Sequence, residues 1–339
     1  MILAPKSSTC ARAFVLTIFA ILLAQNLLAK DWDLRFKGYS SPKWLSSDDI
    51  VYIKNETYQE EGSYPWDYPF RYVVEICKRS IESTEEKVLL HVAHTVIDRP
   101  KRQYRIFDDK KLEGATGIWD IDVSLTTKMI AFGLTSRKDY KDSPEPIKAG
   151  IYIIDVDGKN FKYISPGYRP KFSPDGARIL FGTADPEFLK NMNIESNSAL
   201  FVHDLETGQN RLVTKEKYDI YKWDSDNQSI VLDFKDKANK YFLYSLKNGF
   251  LTEITYENAK NYSYDKKYWS SSEGDLYFKD ENSKVQKIKA PIPFPNLKFK
   301  EWNPSRLQYL AEDDRDILGK LITVDAPTMK VTTILEESQ

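Results

Sequence analysis

Three histidines, two cysteines and 50 acidic residues are the side chains of this 339-residue chain that could hold a metal or move a proton. His91 and His94 lie three positions apart, a spacing that turns them to opposite faces of a strand, so a shared metal is not expected. Packing or surface roles fit both. His203 follows Leu200-Phe201-Val202, where a partly buried structural histidine is the natural reading. Cys10 and Cys77 do not form a pair with metal spacing, which disfavours zinc. Asp224-Ser225-Asp226-Asn227 begins like a calcium loop, but Ser229 stands where the glycine belongs and Lys235 where the closing glutamate belongs. That stretch reads as a tight turn. No Gly-x-Ser-x-Gly elbow is present. Paired carboxylates suited to glycoside hydrolysis are recognised by their separation, and no pair stands out by position. The sequence therefore predicts no catalytic residues, no metal and no cofactor.

Aromatic rings offer a different chemistry. Tyr58, Tyr64, Trp66, Tyr68 and Phe70 are interleaved with Glu56, Glu60, Glu61 and Asp67. Rings among carboxylates suit stacking on a sugar or seating a partner's anchor residue. The alternative is that the same rings fold back and cap the edges of a sheet. The five aromatics are the candidate ligand-binding set.

The elements that must position them are short and β-rich. The clearest unit runs from Tyr168 to Val213. Lys171-Phe172-Ser173 reads as an inner strand, Pro174-Asp175-Gly176 as a turn, and Ile179-Leu180-Phe181 as a strand buried on both faces. Leu200-Phe201-Val202, the turn Glu206-Thr207-Gly208 and Arg211-Leu212-Val213 complete it. One such meander cannot bury both faces alone and needs similar units beside it.

Five degraded copies supply them. Their inner-strand anchors, with that of the clear unit, are Trp44, Val123, Phe172, Trp223, Tyr264 and Trp302, spaced 38 to 51 residues apart after a first interval of 79. Asp157-Gly158 and Asn248-Gly249 mark outer hairpins in two of the copies. Trp32 to Phe36 alternates at period two and reads as a separate strand near the closure of the fold. The long first interval contains a polar stretch, Asp98 to Gly114, and leaves room for a further unit between Thr95 and Gly117. The expected fold is an all-β, six-bladed β-propeller with four antiparallel strands per blade, seven blades being the rival.

Pro170-Lys171-Phe172-Ser173-Pro174-Asp175-Gly176-Ala177-Arg178-Ile179, followed by Leu200-Phe201-Val202-His203-Asp204-Leu205, resembles the blade repeat of TolB-type six-bladed β-propellers. As a motif the resemblance covers the third copy; as an architecture it covers about residues 40 to 336. It implies a propeller without the α/β domain that precedes it in TolB, and it implies no activity.

Lys6 and Arg12 precede an apolar run from Ala13 to Ala24, and the stretch ends Leu27-Leu28-Ala29. That run is short for a bilayer span, which takes about 20 residues. Residues 1–29 read as a secretory signal peptide, the alternative being an uncleaved N-terminal anchor, and residues 30–339 as a single propeller domain, periplasmic or secreted. No stable membrane insertion is expected after its removal. Cys77 would then be the one cysteine left, a packing residue rather than half of a disulfide. Lys and Arg number 49, for a net charge of −1, which argues against a nucleic-acid surface. Alternate strand connections emerge on the same side of a propeller, so the loops joining second to third strands share one face. Those of the first three copies are long: Asn55 to Phe70, Leu134 to Gly150 and Thr183 to Ser198. Long loops on a rigid scaffold are where binding resides. The expected function is a monomeric, non-catalytic binding module for a protein or glycan partner; the alternative is a carbohydrate-active enzyme with carboxylates near the central channel.

Overall fold

The computed structural model describes residues 32–60, 69–99, 102–107, 112–136, 147–216, 218–224, 226–234, 240–255, 261–262, 268–270, 276–279, 285–288, 297–313, 320–328 and 330–335. Residues 1–29, with the proposed signal peptide, lie outside them, as do Tyr64, Trp66, Tyr68 and Tyr264. The first sheet has five strands, β1 (Trp32–Trp44), β2 (Asp49–Glu60), β3 (Phe70–Ser80), β4 (Glu86–Arg99) and β5 (Arg102–Phe107). The second has four, β6 (Ala115–Ser124), β7 (Met129–Ser136), β8 (Gly150–Asp155) and β9 (Lys162–Ser165). The third comprises β10 (Tyr168–Phe172), β11 (Arg178–Thr183), β12 (Ala199–Asp204) and β13 (Asn210–Thr214), with helix α1 (Pro186–Asn191) between β11 and β12. Then come β14 (Tyr218–Trp223), β15 (Ser229–Phe234), β16 (Tyr241–Ser245) and β17 (Leu251–Ile254) in a fourth sheet. A fifth holds β18 (Asn261–Tyr262), β19 (Tyr268–Ser270), β20 (Leu276–Lys279) and β21 (Val285–Ile288). The last holds β22 (Leu297–Trp302), β23 (Gln308–Asp313), β24 (Lys320–Asp325) and β25 (Val331–Leu335). Every sheet is an antiparallel meander in chain order.

Neighbouring sheets share their cores, as propeller blades do. Val51, Ile53 and Ile76 of the first sheet pack with Ile130, Phe132 and Tyr152 of the second. Ala131 and Ile153 then meet Phe172 and Ile179 of the third, and Leu180 and Val202 meet Ile230 and Leu232 of the fourth. The first and last sheets also join: Tyr39, Ile50 and Tyr52 pack with Leu310, Leu321 and Ile334. Each of these contacts removes apolar surface from water, worth roughly 25 cal/mol per Å² buried.

Side-chain hydrogen bonds link the inner strands. Asp122 Oδ2 accepts from the Phe172 backbone N–H at 2.8 Å, and Glu301 Oε2 accepts from the Trp44 N–H at 2.8 Å. The Trp223 indole donates to the Lys171 carbonyl at 2.9 Å. In β1, β6, β10, β14 and β22 the pairing register slips just ahead of the anchor residue. Ser41, Asp120 and Arg169, each three positions before its anchor, take positive φ there. A bulge of this kind bends the strand and re-aims the side chains that follow.

The turns after the inner strands are closed by side-chain oxygens of several types. Ser173 Oγ accepts from Arg178 N–H and Asp226 Oδ1 from Gln228 and Ser229 N–H; Asn303 Oδ1 accepts from Ser305 and Arg306 N–H. Asp226, in the stretch read as a tight turn, thus closes a turn after β14. These turns also reach sideways. Thr126 Oγ1 donates to Pro174 O at 3.1 Å, Asp175 N–H to Asn227 Oδ1 at 2.8 Å, and Asn303 Nδ2 to Ser47 O at 2.9 Å.

Three expectations need correction. Trp32 to Phe36 is the outer end of β1, not a separate closing strand. The interval that could have held a further blade instead holds the end of β4 and all of β5, which pairs along β4 from His94 to Arg99. Much of Asn55 to Phe70, expected as a loop, is strand: β2 continues to Glu60 and β3 starts at Phe70.

Candidate functional site

The antiparallel registers put the β1–β2 and β3–β4 turns at one end of each sheet and the β2–β3 connections at the other. Strands β1 to β4 are 11 to 14 residues long, against 5 or 6 in β10 to β12. Trp44 and Phe172 both close their strands just before the short turn. All of the extra length therefore projects at the β2–β3 end, roughly 20 Å at about 3.3 Å per residue.

One face of that projection carries a charged cluster. Tyr39, Lys54, Glu75 and His91 lie directly across four strands, so their side chains share a face. Lys54 Nζ meets Glu75 Oε2 at 2.7 Å and Glu86 Oε1 at 2.9 Å, while His91 Nδ1 meets Glu75 Oε1 at 2.7 Å. Tyr52 donates its hydroxyl to Glu86. Burial pushes the Glu75 carboxyl up, but the hydrogen bonds from His91 and Lys54 outweigh it and hold the pKa at about 2. Burial likewise opposes the charge on Lys54, and its bonds to Glu75 and Glu86 raise its pKa above the usual lysine value. Above this row, Lys54, Glu56, Tyr58, Arg71, Val73, Glu75 and His91 line a cavity of about 310 Å³.

Glu75, Cys77 and Glu86 bring one donor atom each within 4.8 Å of one another, the geometry of a possible metal site. The ammonium of Lys54 already lies between the two carboxylates, and burial raises the Cys77 thiol pKa, keeping it protonated. The chemistry is that of an internal ion network. Cys77 is fully buried, in keeping with a packing role.

Of the candidate aromatics, Tyr58 and Phe70 are among the described residues, and they do not share a face. Tyr58 lies across from Arg71 and Phe70 across from Gln59, so their side chains take opposite faces of the hairpin. The Tyr58 hydroxyl donates to Glu56 Oε2 at 2.7 Å, and burial, aided by that carboxylate, lifts its pKa to about 12. Phe70 packs near Tyr72, ring centroids 6.4 Å apart. His91 and His94 face opposite ways as expected: His94 is buried and stacks on Tyr72 at 5.3 Å. His203 is buried with Nδ1 2.9 Å from Asn210 Oδ1 on the adjacent strand.

Sequence reasoning missed two features of the same end. Helix α1 occupies part of Thr183 to Ser198, its N–H groups capped by Asp185, which accepts from Phe188 N at 2.8 Å. Asp185-Pro186-Glu187 is a helix-start signature that could have revealed it. Beside it, Ser136, Lys148, Tyr163, Asp185, Phe188 and Asn191 contribute to a cavity of about 490 Å³ between the second and third sheets.

The chain is an all-β propeller with four-stranded antiparallel blades, the first widened by a fifth strand. No family model matches it, and no curated protein matches it in sequence. Among solved structures it is similar to TolB from Acinetobacter baumannii, with 13% identity, a TM-score of 0.46, and coverage of 79% of this chain and 77% of that one. An uncharacterized protein from Listeria monocytogenes EGD-e is similar at 14% identity and a TM-score of 0.42, covering 90% of this chain and 86% of that one. The β-propeller domain of the Trilobed protease from Pyrococcus furiosus is similar at 17% identity and a TM-score of 0.39, covering 67% and 74% respectively.

Proposed function

We propose that this chain is an exported, non-catalytic binding propeller, a closed ring of six blades that takes a protein or glycan partner on the face of its β2–β3 connections. The observation that carries the reading is the projection of the first sheet beyond the other blades at that face. Its two flanks carry Tyr58 and Phe70, and the sequence between them supplies Tyr64, Trp66 and Tyr68. Rigid rings of this kind give contact area at small cost in conformational entropy. Export rests on the basic start and short apolar run of residues 1–29. Among the described residues no helix is long and apolar enough to cross a membrane.

The alternative, a carbohydrate-active enzyme working through channel carboxylates, has less support. Asp122 and Glu301 each accept a backbone N–H from the neighbouring sheet and each contact Lys43, which is a structural use of both. A glycan array and a cross-linking pull-down on the purified chain test the proposal. Trp66→Ala with Tyr68→Ala should abolish binding while leaving thermal stability nearly unchanged. Turnover of a polysaccharide that is lost on changing one channel carboxylate would overturn it.

A further inference from the structure

The cavity of about 490 Å³ between the second and third sheets lies within the roughly 300–1,000 Å³ of small-molecule sites. Its walls are held from both sides. Helix α1 is anchored in the third sheet by Leu189, which is buried, and by Phe188, whose ring packs edge-on against Phe181 and Phe201, centroids 6.4 and 5.2 Å apart. Glu187 and Asn191 of the same helix stay exposed and line the cavity. Among the described residues neither side chain makes a hydrogen bond or an ion pair. On the second-sheet side the Tyr152 hydroxyl donates to the Lys148 carbonyl at 2.7 Å, and Lys148 Nζ sits over the Tyr163 ring, 5.8 Å from its centroid.

These charges select a ligand by exclusion. Asp185 and Glu187 repel an anion. An incoming ammonium or guanidinium group would meet Lys148 over the Tyr163 face. A metal ion lacks a third ligand: among the described residues the one set of three convergent donors is Glu75, Cys77 and Glu86, in the first sheet. The Tyr163 hydroxyl stays a donor, because burial, aided by the Asp185 charge, lifts its pKa to about 12. What fits is a neutral ligand with an apolar face for the rings and hydroxyls for Lys148, Glu187 and Asn191. A second aromatic surface adjoins the cavity. Tyr168 follows the cavity residue Pro166 by two positions, so its Cα lies within about 7 Å of Pro166. Its ring stacks with that of Trp119 on the neighbouring inner strand, centroids 6.1 Å apart and planes at 28°, and the indole is exposed.

We propose that the crevice between the second and third sheets is a saccharide site, holding one neutral sugar ring in the cavity between Tyr163 and helix α1 and a second against Trp119 and Tyr168. The site shares the face of the β2–β3 connections with the projecting hairpin but none of its residues, so it stands or falls apart from the partner-binding reading.

Isothermal titration of the purified chain tests it, with cellobiose, maltose and N,N′-diacetylchitobiose as neutral probes and digalacturonate and tri-lysine as charged ones. Saturable binding of at least one neutral probe is expected, tighter than that of either charged probe. Against that probe Glu187→Ala should weaken binding by about tenfold, as loss of a hydrogen bond to a charged group does. Asn191→Ala and Trp119→Ala should each weaken it severalfold. Trp66→Ala with Tyr68→Ala, in the hairpin stretch, should leave it unchanged. Thermal melts of the Glu187 and Asn191 variants should match the native chain, because both side chains are exposed. Binding of none of the neutral probes would overturn the proposal, as would tighter binding of a charged one or equal affinity in the native chain and all three crevice variants. A loss of saccharide binding confined to the hairpin variant would also overturn it, while leaving the hairpin reading in place.

Discussion

The two ends of the blades spend their polar residues differently. At the short-turn end Thr126, Asn227 and Asn303 each bond to the turn of a neighbouring sheet, and Arg306 adds an ion pair to Asp48 at 2.6 Å. At the other end the connections differ from sheet to sheet: a projecting hairpin in the first and a capped helix in the third. Among the described residues the short-turn end repeats, because there the turns of the second and third, third and fourth, and last and first sheets meet side by side. The other end is relieved of that duty, so it can vary without opening the ring. Variation on a fixed frame is where recognition is usually built.

Substitutions can break or sharpen this division. The largest effect is expected beneath the short turns, where Phe172 is buried against Ala131, Ile153 and Ile179. Phe172→Ala should cost roughly 3–5 kcal/mol in denaturant unfolding, as core aromatic truncations do. A smaller loss is expected at the base of the projection. Lys54→Met leaves Glu75 and Glu86 facing each other without their shared ammonium and should cost about 3 kcal/mol at pH 7. Glu75 has a depressed pKa in the folded chain, so its contribution is present above about 4.5 and fades as pH falls toward 2. Stability of the native chain should drop through that window, and Lys54→Met should flatten the drop. A variant that retains the full slope would remove Lys54 from the account.

Gly176 tests the lateral contacts. Its φ is +73°, and a Cβ there would meet Ser124 Oγ and, at 2.7 Å, Thr127 Cγ2 of the preceding sheet. Gly176→Ala should destabilise by about 2 kcal/mol in the same unfolding assay. No loss would mean that the turns of the second and third sheets do not press together.

Much of the frame was legible in the residues. Trp44, Val123, Phe172, Trp223 and Trp302 all lie on the first strands of their sheets, and Gly158, Gly176, Gly208 and Gly249 all take positive φ in the turns assigned to them. Burial and turn stereochemistry act over a few residues, so a short window reveals them. The projection was not legible because beyond Ile53 strand β2 carries mostly polar residues on both of its faces. Glu56, Tyr58 and Glu60 alternate with Thr57 and Gln59, so no apolar period marks a strand. Arg102 to Phe107 was hidden in a polar stretch for a similar reason. The cluster of Lys54, Glu75 and His91 depends on the register of three strands, which turn chemistry alone does not fix.

The division between the two ends is tested most directly by paired thermal melts. Asn227→Ala with Asn303→Ala removes lateral bonds among the short turns; Trp66→Ala with Tyr68→Ala alters only the aromatic stretch of the hairpin. The first pair should lower the midpoint by about 4–6 °C, and the second by about 1 °C or less. A second pair that melts as low as the first would contradict the account, because the aromatic stretch would then be holding the fold together.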